Sequence, residues 1–288
     1  MSSRAYDAIV FDLDGTLLDD SGRVRPRSKE ALRAAQAAGV RVLVATGRSS
    51  LSAHEILVDL ELDLPAIVFN GAGLYCSRRK RLLEERILSN RSVARVLAYA
   101  RERDLLTVVM RSEDKLSTPP HDEEERLALE WMSGLKHVER DALDGVEYVI
   151  RVSLFSRDHA DSARFAREVE AAVGAPCYIT DFPLNVLPHH RASRMDVIDL
   201  HPPCLGKGEA LRFLFEEHGV RPERVVAVGD ATNDVPMFEA AGLSVCMRNG
   251  MEEARRAARR VIGSNEEDSI AELVEELFLA PTRSTVAG

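Results

Sequence analysis

The sequence predicts an α/β protein, a parallel sheet flanked by helices and interrupted by an inserted α+β block. Three observations carry this. Short β-branched apolar runs alternate with helical patterns at both ends of the chain, the arrangement of βαβ units. The middle third has a different order of strands and helices. Four apolar runs switch abruptly to polar residues at the same point, the carboxyl end of a strand, where open parallel sheets bind ligands.

At the N-terminal end, Tyr6 to Phe11 reads as a buried strand ending in Asp12. Pro26 opens a helix that Gly39 stops. Arg41 to Ala45 is the second strand, Ser49 to Glu61 a helix, and Ala66 to Phe69 the third strand. Asp19 and Asp20 before Gly22 read as a hairpin turn. The pattern returns with a helix over Gly208 to His218 and a strand over Arg224 to Val228. A helix over Val235 to Ala241, strands at Leu243 to Cys246 and Arg260 to Ile262, and a closing helix over Ile270 to Leu279 follow. Pro281 to Gly288 has no periodicity and reads as a disordered tail. The inserted block is expected to hold helices at Ser92 to Arg103, Glu123 to Met132 and Ala160 to Val173. Its expected strands are Leu106 to Met110, Glu147 to Phe155, Pro176 to Thr180, Leu184 to Leu187 and Met195 to Leu200. Residues 1–85 and 201–288 would form the core domain, and 86–200 the insert.

Composition narrows the function. The chain has 288 residues, 45% hydrophobic and 30% charged, with a net charge of −9. It is long enough for a core without staples and too apolar for wholesale disorder. The acidic balance argues against a general nucleic-acid binder. No run approaches the length of a membrane span, and Asp7, Asp12 and Asp14 interrupt any signal-peptide core. Cys76, Cys177, Cys204 and Cys246 lack metal-ligand spacing and read as thiols of a reducing cytoplasm.

The strand ends carry the chemistry. They are Asp12-Leu13-Asp14-Gly15-Thr16, Thr46-Gly47-Arg48, Asn70-Gly71, and Gly229-Asp230 with Asn233-Asp234. On one sheet, Asp12, Asp14, Asp230 and Asp234 would converge. Close carboxylates repel, and a hard divalent cation removes that cost. Sparse protein ligation suits Mg²⁺. Lys207, before a helix, and the Thr16 and Thr46 hydroxyls suit a phosphate. Asp12 can attack phosphorus, and Asp14 can serve as acid and base.

These motifs, in this order, resemble those of the haloacid dehalogenase-like hydrolase superfamily, Cof-type subfamily. The resemblance implies a Rossmann-like core with an α/β cap of the C2B type inserted between the second and third motifs. It implies Asp12 as nucleophile and Mg²⁺ ligand, and Asp14 as acid/base with its backbone carbonyl on the metal. Thr46 and Lys207 would hold the phosphoryl group. Asp230 would be the third protein ligand of Mg²⁺, Asp234 is a further candidate ligand, and Asn233 and Asp234 would orient Asp230 or its waters. Gly47, Arg48, Asn70, Gly71 and Asn233 are candidate substrate-binding residues. The expected activity is Mg²⁺-dependent hydrolysis of a small phosphorylated metabolite through aspartyl-phosphate. A sugar phosphomutase or phosphotransferase and a non-catalytic phosphometabolite sensor are the alternatives. Arg248 stands where the family has glycine, which puts the shape of that loop in question, and Cys204 lies close to Lys207. The His189 to Arg194 run is either a cationic specificity loop or a solvated hairpin.

Overall fold

A computed structural model describes residues 4–130, 132, 134–187 and 190–280. In chain order its strands are β1 (Ala8–Phe11), β2 (Arg41–Val44), β3 (Ala66–Val68), β4 (Gly73–Cys76), β5 (Arg81–Glu85), β6 (Leu106–Met110), β7 (Lys115–Ser117), β8 (Leu135–His137), β9 (Arg151–Ser156), β10 (Tyr178–Pro183), β11 (Asp196–His201), β12 (Val225–Gly229), β13 (Leu243–Met247) and β14 (Arg260–Ile262). The α-helices are α1 (Pro26–Ala37), α2 (Ser50–Leu60), α3 (Asn90–Glu102), α4 (Glu123–Leu129), α5 (Ser162–Val173), α6 (Glu209–His218), α7 (Val235–Ala240), α8 (Glu252–Ala257) and α9 (Ser269–Val274). None of the described helices is long and apolar enough to cross a membrane. The chain divides into two compact units, Met1–Gly47 with His54–Lys80 and Leu205–Gly288, and Arg48–Ala53 with Arg81–Cys204.

The first unit is built on a five-stranded parallel sheet in the order β14-β13-β12-β1-β2. β1 lies between β12 and β2, and all four of its residues are buried, as an all-apolar strand requires. Its register pairs Phe11 with Val44 on one side and Val228 on the other. The residues that follow these three are therefore level with one another. β3 joins the edge beside β2 through one parallel bridge, Ala45 to Ile67, and then turns back antiparallel into β4. Ala210, Leu211 and Leu214 of α6, Met237 and Phe238 of α7 and Ala254 of α8 pack on the apolar side chains of the sheet. Gly219, at φ +65°, ends α6 in the left-handed conformation typical of a helix stop.

The second unit contains a mixed sheet in the order β10-β11-β9-β6-β7-β8. Val109, Val152, Leu154, Ile198 and Leu200 form one apolar cluster with α3 and α5. Three expectations are corrected here. The strand expected from Glu147 begins at Arg151, because Tyr148 takes φ +59°, which no strand tolerates. Leu184 to Leu187 is not a strand. Pro183 ends β10 without a donor for a further ladder bond, and Leu184–Val186 forms a 3-10 turn closed by Leu187 N donating to the Leu184 carbonyl. The helix expected to reach Met132 stops at Leu129. The turn at Asp19 forms as expected, with Asp19 and Arg23 joined and Leu18 bridged to Val24. Pro281 to Gly288 and His189 lie outside the described residues.

Phe165 on α5 is fully buried and stacks on His159 with centroids 4.2 Å apart. Phe165→Ala removes the largest apolar contribution of α5 and is expected to cost about 3–5 kcal/mol, the usual range for a core phenylalanine. Urea denaturation of wild type and variant measures it.

Candidate active site

The site gathers at the carboxyl end of the parallel sheet in the first unit. Asp12 follows β1, and its backbone N still donates to the Val228 carbonyl at 2.9 Å, so the side chain leaves a fixed backbone. Asp230 follows β12, and its carbonyl accepts from Met251 N at 2.7 Å. Thr46 follows β2, wholly buried; its N donates to the Ile67 carbonyl, and its own carbonyl accepts from Asn70 N. Asn70 has φ 49° and ψ 42°, a left-handed conformation that asparagine adopts more readily than most residues.

Lys207 is the centre of this arrangement. It is 1% exposed, in the turn Gly206–Gly208 that leads into α6. Its Nζ lies 2.8 Å from Asp12 Oδ1 and donates to Asp234 Oδ1 at 2.6 Å. The other oxygen of Asp234 accepts from the backbone N of Asp230 at 2.8 Å and of Ala231 at 2.9 Å. Both oxygens of Asp234 thus have protein donors. Thr16 Oγ1 donates to Asp230 Oδ1 at 3.1 Å. Asn233 Nδ2 donates to Asn70 Oδ1 at 3.0 Å, which ties the loop after β12 to the loop after β3. Gly47 lies beside the same Asn70 carboxamide.

Gly15 and Gly71 combine close approach with a left-handed backbone. Gly15 has φ +72°, and a β-carbon there would lie 2.4 Å from Asp230 Oδ2. Gly71 has φ +98°, and a β-carbon there would lie 2.2 Å from the Gly206 carbonyl. Gly71 therefore lets the turn that carries Lys207 come down onto the site.

Asp12, Asp230 and Asp234 each offer an oxygen within 4.8 Å of the others. Burial pushes the Asp12 carboxyl up from 3.8 to about 7; Lys207 pulls it back down, while Asp234 and Asp14 add repulsion. Burial also holds Asp230 well above the usual carboxylate range, and Asp12 and Asp234 add to it. Burial alone would depress Lys207, but Asp12 and Asp234 outweigh it and keep the ammonium charged. Asn233 Oδ1 is buried and receives no hydrogen bond among the described residues. A crowded all-oxygen acid cluster with one unfilled amide oxygen fits a hard divalent cation.

Two contacts were not visible in the sequence. Asn249 Nδ2 donates to the Gly15 carbonyl at 2.7 Å, and Asn249 Oδ1 accepts from Asn265 N at 3.0 Å. Asn249 braces the loop that carries Asp14. Its signal was its place just after β13, next to Arg248. Arg248 itself turns outward and pairs with Glu267. Arg48 belongs to the second unit. Arg194 pairs with Glu124, and Cys204 is half-buried.

The family model for haloacid dehalogenase-like hydrolases matches residues 9–274. The chain belongs to this family. It is 30% identical to the pyridoxal phosphate phosphatase YbhA of Escherichia coli, over 92% of this chain and 96% of that protein. It is 27% identical to the 5-amino-6-(5-phospho-D-ribitylamino)uracil phosphatase YwtE of Bacillus subtilis, over 94% and 97%. Its fold matches that of the HAD phosphatase BT1666 from Bacteroides thetaiotaomicron with a TM-score of 0.79 at 19% identity, covering 97% of each chain. The subclass IIB sugar phosphatase BT4131 matches with a TM-score of 0.78 at 21% identity, covering 94% of this chain and 98% of that one.

In the metal-free protein, a carboxyl raised from 3.8 to about 7 binds more protons folded than unfolded between those values. Stability from Asp12 is therefore full below pH 3.8 and is lost as pH rises through about 7. Thermal unfolding in EDTA should show this fall, and Asp12→Asn should remove it. Adding a divalent cation at pH 7 should raise the melting temperature of wild type more than that of Asp12→Asn.

Proposed function

We propose that this hydrolase is a Mg²⁺-dependent phosphatase of small phosphorylated metabolites that works through an aspartyl-phosphate on Asp12. The observation that supports this most is the placement of Asp12 on a rigid strand end, with Lys207 2.8 Å away. An ammonium there orients the nucleophile and neutralises the phosphoryl oxygens brought to it. Asp12 and Asp230 would hold the metal, joined by the backbone carbonyl of Asp14. Asp234, with both oxygens engaged, is assigned to positioning Lys207 and the Asp230 loop rather than to ligation. When bound, Mg²⁺ supplies the positive charge that keeps the crowded carboxylates ionised and offsets charge on the phosphoryl group.

In the first half-reaction Asp12 attacks phosphorus. The bond to the leaving oxygen breaks, and Asp14 gives that oxygen a proton. In the second half Asp14 takes a proton from water as the water attacks phosphorus, and the Asp12 carboxylate leaves. Thr46, Asn70 and Asn233 would orient the phosphoryl group. The second unit, as the cap, would select the leaving group. Relatives named for pyridoxal phosphate and for a ribitylamino-uracil phosphate support a small phosphorylated metabolite as the substrate class.

Phosphate release from a panel of sugar, polyol, nucleotide, pyridoxal and flavin phosphates, with Mg²⁺ or EDTA, tests the reading. Wild type with Mg²⁺ should release phosphate, and EDTA should stop it. Asp12→Asn should lose at least about 10³-fold in turnover, since it removes the nucleophile itself. Full activity in Asp12→Asn would overturn the mechanism.

A further inference from the structure

The loop that carries Asp14 turns through a tight corner. Asp14 has φ −72° and ψ 127°, and Gly15 has φ 72° and ψ −1°, the angles of a type II turn over Leu13-Asp14-Gly15-Thr16. Such a corner has one loose joint. Glycine reaches positive and negative φ at similar energy, so residue type alone does not hold Gly15, nor the direction in which Asp14 leaves the chain. The ends of the loop have their own supports. Asp12 N donates to the Val228 carbonyl, Leu18 N donates to the Leu13 carbonyl at 2.8 Å, and Thr16 Oγ1 donates to Asp230 Oδ1.

The corner itself is held by a carboxamide from the other end of the chain. Asn249 Nδ2 donates to the Gly15 carbonyl at 2.7 Å, and Asn249 Oδ1 accepts from Asn265 N at 3.0 Å. These two partners fix which way the amide faces, since a backbone N–H only donates and a carbonyl only accepts. The backbone on both sides of Asn249 is fixed in turn. Arg255 Nη1 on α8 donates to the Arg248 carbonyl at 3.1 Å and to the Gly250 carbonyl at 2.6 Å. Asn265, 6% exposed, reaches the far end of the same loop, where its Nδ2 donates to the Leu18 carbonyl at 3.0 Å and to Asp20 Oδ1 at 3.2 Å. All of these residues belong to the first unit. Asn249 itself is exposed and adds little to the core, so its two bonds act on the loop rather than on the fold.

We infer that Asn249 is a positioning residue for the proton-transfer step: by holding the Gly15 carbonyl it fixes the corner from which Asp14 reaches the leaving oxygen. The proton transfer rests on the phosphatase reading; the hold on the corner does not. Asp12 keeps its place without this contact, because its backbone is tied to β12 and its carboxyl to Lys207. Loss of the amide therefore spares attack on phosphorus and impairs protonation of the leaving oxygen. An alkyl oxygen needs that proton as its bond to phosphorus breaks, whereas p-nitrophenolate or acetate leaves as a stable anion without it.

Two measurements test this. The first is kcat/KM with Mg²⁺ for two kinds of substrate. One is an activated phosphate, p-nitrophenyl or acetyl, whichever wild type hydrolyses faster. The other is the alkyl phosphate of the panel above that wild type hydrolyses fastest. Asn249→Ala should lose about 10- to 100-fold on the alkyl ester, part of what general acid catalysis supplies, and less than about threefold on the activated one. Asn249→Asp keeps the acceptor for Asn265 and removes the donor to Gly15, and it should show the same split. Equal losses on both substrates, or none, overturn the positioning role. The second measurement is deuterium uptake by residues 13–18 without substrate. Uptake should be about 3- to 10-fold faster in both variants, the worth of one neutral hydrogen bond, with melting temperatures within about 2 °C of wild type. Unchanged uptake overturns the hold on the corner. No release by wild type from any alkyl ester overturns the phosphatase reading, and uptake alone then decides whether Asn249 holds the corner.

Discussion

A lysine ammonium enclosed between two carboxylates organises the first unit. Lys207 reaches Asp12 and Asp234 at once, and neither carboxylate is more than a few per cent exposed. Removing one member of such a group leaves a buried charge without its counterpart, a loss of about 3–5 kcal/mol in comparable cases. Asp234 passes the constraint on, since its second oxygen fixes the two backbone amides that begin the loop after β12. One ammonium therefore sets the turn before α6, the end of β1 and the end of β12 together. The arrangement balances only in part: the surplus of carboxylate over ammonium is what makes the site receptive to a divalent cation.

The parallel sheet was legible because a strand buried on both faces must be apolar throughout. Tyr6 to Phe11, Arg41 to Ala45 and Arg224 to Val228 have nearly continuous apolar runs, and the first polar residue after each marks the end that binds ligands. The convergence of Asp12, Asp230 and Asp234 followed from that rule. What escaped notice follows from the same physics. β7 is Lys115-Leu116-Ser117, whose inward side chains are a lysine and a serine, so no hydrophobic alternation announces it. Tyr148 shortens β9 through a backbone angle that residue type does not encode. Asn249 escaped because its role depends on a contact with Gly15 across the fold.

The two units thus use polar burial differently. In the first, carboxylates outnumber the ammonium at the ends of parallel strands, where loops can adjust. In the second, Lys115 opens β7 and Arg151 opens β9, both buried, where side-chain direction is set by the pleat.

The pairing of β1 with β12 has a consequence for how the molecule comes into being. Thr16 and the carboxylate it contacts, Asp230, are 214 residues apart in the chain. At roughly 5–20 residues per second, a ribosome takes roughly ten to forty seconds to cover that distance. For most of that interval the Asp12 loop already exists, while Lys207, which will contact it, and β12, which will flank it, are still to be made. The whole second unit emerges from the ribosome in between. A chain truncated before β12 would therefore retain Asp12 and Asp14 and lack Asp230 and Asp234, and the acid cluster is complete only once β12 and the loop after it have been made.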